Sequence, residues 1–174
     1  MTSPKSLHYP IGAFEYQNAF HAEEVSDKIK QLERFPHDLQ LLVEKLNTEQ
    51  INHPYRTGGW TGRQVVHHLA DSHMHAYLRT KFALLEKETE IKPYNEKEWA
   101  EAKEISSLPL SASLGILRGL HQRWCAVFSA MTQEEFSHTY LHPEYQTKVT
   151  LHEVLYHYTW HSYHHLGHLR LLLG

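Results

Sequence analysis

The sequence predicts an all-α protein, a four-helix bundle with a long crossover connection and an irregular N-terminal arm. Three observations predict it. Four separate stretches carry apolar residues at three- and four-residue steps, two of them open on a Thr followed three residues later by Gln or Glu, and a long polar stretch separates the second from the third. A chain of 174 residues fits one domain, 1–174, long enough to bury a sizeable core.

The first twenty residues, with Pro4, Pro10 and Gly12 and little periodicity, read as an extended arm over the surface. From Glu23 the pattern turns helical through Val25, Ile29, Leu32, Leu39, Leu42, Val43 and Leu46. Pro36 lies inside it and is expected to kink or break the helix, because it lacks an N–H and restricts Phe35. Pro54 to Trp60, with Gly58 and Gly59, is a loop. Thr61 and Gln64 then have the spacing of a capping box, opening a second helix with no breaker before about Glu88. The polar stretch from Thr89 to Pro109 crosses to a third helix, which opens near Ser111 and carries Leu114, Leu117, Leu120, Trp124, Val127 and Phe128. Tyr140 to Val149 reads as an extended excursion. Thr150 and Glu153 repeat the capping spacing, and a fourth helix reaches Leu173. No internal repeat stands out.

Composition narrows the function. Hydrophobic residues make up 41% and charged residues of mixed sign 21%, which argues against disorder. A net charge of −3 without blocks of like charge offers no electrostatic footprint for nucleic acid or an anionic membrane; Arg118 and Arg123 read as solvated helix faces. The single cysteine, Cys125, excludes an intrachain disulfide and reads as packing in the third helix. The start at Met1-Thr2-Ser3-Pro4-Lys5 lacks the apolar core of a signal peptide, and no apolar run is long enough to cross a bilayer, so a cytoplasmic location is expected.

Histidine is the anomaly. There are 17, concentrated at His53, His67, His68, His73 and His75 and again at His152, His157, His161, His164, His165 and His168. Interleaved with Tyr, Trp and Leu in periodic sequence, they are neither a tag nor a low-complexity tract. His161 and His165, four apart, project from one helix face about a turn apart, the spacing by which a rigid helix offers two nitrogens to one metal. Unlike the zinc-protease helix, no Glu follows the first of them. A third ligand must come from the second helix. There Val65, Leu69 and Ser72 form an apolar-to-small stripe with His68 beside it, while His67, about 100° around, has Asp71 as a partner one turn on. Periodicity leaves both open. A lone helical histidine is ordinarily structural; two histidine-dense helices without cysteine partners are what point to a metal.

The run Gly58-Gly59-Trp60-Thr61-Gly62-Arg63-Gln64-Val65-Val66-His67-His68-Leu69-Ala70-Asp71-Ser72-His73 resembles the DinB superfamily, and within it the YfiT-like metal-dependent hydrolases. Tyr9-Pro10-Ile11-Gly12, Arg56, Lys92-Pro93-Tyr94, His121-Gln122-Arg123-Trp124 and Trp160-His161-Ser162-Tyr163-His164-His165 follow in the order of the same family. Tyr163 departs from relatives that continue a run of histidines. The resemblance implies a four-helix bundle with a three-histidine site for one divalent ion, zinc or nickel, held by His68, His161 and His165. It also implies a homodimer; a small-molecule substrate is expected, with the charge pattern already setting aside nucleic acid and membrane as partners.

Three neutral imidazoles leave a metal its full charge and open positions. Two chemistries are then expected. One is hydrolysis by a metal-bound water; the other is transfer of a low-molecular-weight thiol such as bacillithiol to an electrophile, an activity found among YfiT-like relatives. The lack of an obvious general base favours thiol transfer, with Asp71 and Glu153 as the candidates for acting through a neighbouring group. Arg56, Trp60, Tyr163 and His164 are the candidates for a substrate-facing wall. The non-enzymatic alternative is a metal-binding stress protein with several weak sites.

Overall fold

In the computed structural model, which describes residues 6–16, 18–86 and 89–174, four long helices form the expected bundle: α1 (Ala22–Val43), α3 (Gly62–Leu85), α5 (Leu110–Ala130) and α6 (Leu151–Arg170). The short helices α2 (Thr48–Ile51) and α4 (Glu96–Ala100) lie between them. The extensive packing is of α1 against α5 and α6 and of α3 against the same two, so α1 and α3 are diagonal partners. The expected end of the second helix near Glu88 falls outside the described residues; the helix is seen to Leu85.

Local chemistry sets the helix starts. Thr61 Oγ1 accepts from Gln64 N at 3.2 Å while Gln64 Oε1 accepts from Thr61 N at 2.9 Å, a complete capping box at the head of α3. Gln64 Nε2 also donates to Ala100 O at 3.0 Å, which ties the crossover to α3. At α6, Thr150 Oγ1 accepts from Glu153 N at 3.0 Å.

Of the two outcomes expected at Pro36, the break does not occur. Helix α1 runs unbroken across it, with Phe35, Pro36 and Leu39 buried. A proline removes the N–H that would bond the carbonyl four residues earlier, here Leu32 O. That carbonyl instead accepts from His121 Nδ1, which reaches it from α5 at 2.6 Å. A side chain from another helix thus satisfies a main-chain group that would otherwise be buried and unpaired.

The excursion is a hairpin, β2 (Thr139–His142) with β3 (Thr147–Thr150), Tyr140 opposite Val149. Within the crossover, β1 (Thr89–Glu90) adds a short parallel strand on β2, so a three-stranded sheet accompanies the helices. The irregular arm lies over the surface along α6: Trp160 Nε1 donates to Gly12 O at 3.1 Å, and Phe14 meets His157 edge-on at 4.9 Å between ring centroids. Gly167 permits the approach, since a Cβ there would lie 2.7 Å from Pro10 Cγ.

The apolar core is split in two. One cluster gathers Leu32, Trp124, Phe128, Leu151 and Leu155; the other gathers Phe35, Leu39, Val65, Leu69, Leu117 and Leu166. Between these levels α3, α5 and α6 carry His68, His73, His121, His161 and His165. Cys125 is buried with Sγ 3.7 Å from Ile29 O, and burial raises its thiol to about 12, so it serves as packing. Among the described residues no helix is long and apolar enough to cross a membrane.

Candidate metal centre

The i, i+4 pair of α6 faces α3, and His68 meets it there. His68 Nε2 and His161 Nε2 are 3.3 Å apart, and one ring nitrogen from each of His68, His161 and His165 lies within 4.8 Å of the others. Zinc binds imidazole nitrogen at about 2.0–2.1 Å, so two ligands on a tetrahedral ion stand roughly 3.3 Å apart. The donor set fits such an ion. Among the described residues no carboxylate joins the cluster.

Burial keeps these rings neutral. His68 is lowered to about 4 by burial alone. His161 and His165 are lowered well below the ordinary histidine value, first by burial and then by neighbouring rings, among them one another's partner His68. A neutral imidazole is the form a metal takes up.

The cluster opens onto a cavity of about 660 Å³. Of the wall candidates, Arg56, Trp60 and His164 line it. Trp60 packs its indole on His68 at 4.7 Å between centroids and lies nearly parallel to His165 at 6.4 Å. The loop that presents it is tight: Gly59 N donates to Arg56 O at 2.9 Å, and Tyr55 N to Trp60 O at 3.2 Å. Tyr163 is not part of the lining; its hydroxyl turns to α1, 3.2 Å from Asp38 Oδ2.

The two acidic candidates separate. Glu153 lines the cavity, on the same stripe of α6 as His157 and His161, and burial raises its carboxyl. It stands eight residues, about 12 Å of helix, from His161. Asp71 does not line the cavity. Nor does it pair with His67: that ring is buried towards α5, with Nδ1 2.8 Å from Ser113 Oγ. One step along α3 therefore separates a histidine bonded to a serine from one facing the cluster.

Sequence reasoning missed several neighbours. His8 and Tyr9 of the arm, and Arg79, Tyr140, His142 and Tyr145 near the sheet, also line the cavity. No periodicity marks five of them, which come from the arm and the excursion, while Arg79 projects from α3 beyond its histidines. His73, His121 and His168 lie beside these rings without belonging to the His68–His161–His165 trio.

A four-helix bundle with a buried trio of neutral histidines open to a cavity defines a metal-binding helical protein. The chain belongs to the DinB superfamily, whose model matches residues 31–169. It is 42% identical over 164 residues to YfiT of Bacillus subtilis, covering 94% of this chain and 92% of that one. A Geobacillus thermodenitrificans relative is 41% identical over 172 residues, 99% of this chain and 97% of its own. Both carry the provisional name metal-dependent hydrolase. The solved Bacillus subtilis YfiT structure, described as having an unusual four-helix bundle topology, superposes with a TM-score of 0.93, covering 95% of each chain. A mycothiol-dependent maleylpyruvate isomerase shares the fold at 15% identity, with a TM-score of 0.61 over 80% of this chain and 60% of its own.

Proposed function

We propose that this chain is a metal-dependent enzyme that holds one zinc or nickel ion with His68, His161 and His165 and transfers a low-molecular-weight thiol, such as bacillithiol, to electrophilic small molecules. The observation that carries this reading is a cluster of three neutral imidazoles, free of carboxylate ligands, at the wall of a cavity of about 660 Å³. When bound, the ion supplies uncompensated positive charge that favours deprotonation of a thiol or water beside it.

The chain's own residues do the rest. Trp60 packs against His68 and holds that ring from one side of the cavity. Arg56 has a buried Nε without a protein partner and offers a donor to a substrate along the same wall. His164, stacked on Trp160 at 4.5 Å, presents an equally unpartnered buried Nδ1. A thiol is far more acidic than water and needs less help from a general base, which suits a site whose candidate carboxylate stands about 12 Å along the helix.

One observation favours the second reading, hydrolysis: Glu153 does line the cavity, with its carboxyl raised by burial as a general base requires. The working form under either reading is a cytoplasmic homodimer. Leu78, Phe82 and Leu85 leave an exposed apolar stripe on α3 that suits a second copy.

Metal-loaded protein incubated with monochlorobimane, with and without small thiols, tests the choice. Turnover only with a thiol supports transfer. No thiol dependence, together with ester or amide cleavage lost in Glu153→Gln, would establish hydrolysis instead.

A further inference from the structure

Two of the three candidate ligands are reached by chains of histidines that end on main-chain carbonyls. In the first, His121 Nδ1 lies 2.6 Å from Leu32 O, His121 Nε2 lies 2.8 Å from His73 Nδ1, and His73 Nε2 lies 3.1 Å from His161 Nδ1. In the second, His168 Nε2 lies 3.2 Å from His8 O and His168 Nδ1 lies 3.3 Å from His165 Nδ1.

A carbonyl oxygen only accepts, so the first proton in each chain is assigned without choice. His121 must donate from Nδ1. His73 and His121 are fully enclosed with no carboxylate bonded to them, so each ring carries a single proton. His121 Nε2 is then an acceptor, His73 Nδ1 a donor, His73 Nε2 an acceptor and His161 Nδ1 a donor. The lone pair of His161 is left on Nε2, the atom that faces His68. By the same steps His168 donates from Nε2 to His8 O and accepts at Nδ1 from His165, whose lone pair is left on Nε2. The first chain passes through all four long helices, and it starts at the carbonyl that Pro36 leaves without its helical partner.

We propose that His73, His121 and His168 are positioning residues that lock His161 and His165 in the Nδ1–H tautomer and aim their Nε2 lone pairs at the ion. The role in metal capture rests on the metal reading above; the tautomers themselves do not. A ligand imidazole held by an acceptor on its other nitrogen is pre-oriented and more basic, and losing such a partner weakens metal binding by about 10- to 100-fold. The rival use of His168, as a ligand with His164 and His165, needs its nitrogen free of His165 and a second ion.

Long-range proton–nitrogen NMR of metal-free ¹⁵N-labelled protein reads the tautomers directly, and competition with a chelating dye reads zinc affinity. His161 and His165 are expected as Nδ1–H. His121→Phe, which keeps ring volume but neither donor nor acceptor, should mix the tautomers of His161, leave His165 unchanged and weaken zinc about 10-fold or more. His121→Gln, with an amide donor and acceptor, should recover most of that loss. His168→Phe should do the reverse, mixing His165 alone, and stands in if His121→Phe does not fold. Nε2–H tautomers in the unsubstituted protein, an unchanged His161 in folded His121→Phe, or two zinc ions per chain with one lost in His168→Phe would overturn the proposal. Correct tautomers in a chain that takes up neither zinc nor nickel would defeat the metal reading and leave the locking chains standing.

Discussion

The two apolar clusters and the histidine layer between them are built from the same four helices, yet they obey opposite rules. Above and below, Leu, Phe and Trp bury apolar surface, and any side chain of similar shape would serve nearly as well. In the layer His73, His121 and His161 meet nitrogen to nitrogen, and a shape-conserving change there leaves a buried donor or acceptor unpaired. Apolar burial is concentrated in the clusters, whereas the layer holds the three rings able to take a metal.

Substitutions should therefore separate the two. The largest effect is expected at a ligand: His161→Ala should take bound metal from about one ion per chain to none, measured by elemental analysis of purified protein. It should also remove the shift in unfolding that excess metal gives, about 2.7 kcal/mol at 100 times Kd. Stoichiometry that survives would put the ion elsewhere. Next comes Trp124→Ala in the first cluster, where the indole is fully buried and Nε1 donates to Thr80 Oγ1 at 3.0 Å. A loss of about 3–5 kcal/mol is expected in urea unfolding, while the folded fraction still binds one ion.

Acid should act on the layer before it acts on the carboxylates. An unfolded histidine titrates near 6.5, whereas burial holds His68 and His121 near 4. Between those values the unfolded chain binds the additional protons, so stability is full above 6.5 and falls as pH falls, by up to about 1.4 kcal/mol per pH unit for each ring. Metal-free protein followed by circular dichroism should lose Tm steeply from pH 6.5 towards 4; a flat Tm across that window would mean the rings are not neutral and enclosed. The smallest effect belongs to the head of α3. Thr61→Ala should cost about 1 kcal/mol through the lost cap of α3, with metal content unchanged.

Much of this was legible in the residues. The four helices follow from apolar steps that a helix turns into faces, and both Thr caps sit where the spacing to Gln64 and Glu153 puts them. The His161–His165 pair was legible because helical geometry is local. The choice of His68 over His67 needed the family resemblance, since both rings are buried on α3 and only their neighbours, α6 for one and Ser113 of α5 for the other, tell them apart. Asp71 was misread as the partner of His67 because an i+4 spacing shows who is near and not who is nearer.

By itself the sequence determined what repeats locally: helix starts, core faces and the stripe of ring nitrogens on α6, with a single cysteine too few for a site of several thiolates. Only the tertiary structure decided what depends on residues distant in the chain. It carried α1 across Pro36 by bringing His121 to the stranded Leu32 carbonyl, and laid the arm on Gly167 so that His8 O meets His168. It also turned Tyr163 away from the cavity and Trp60 towards it. The reason is physical: a helix fixes the direction of a side chain through its own turns, but which donor meets which acceptor in a dry interior is set by what the other three helices put opposite.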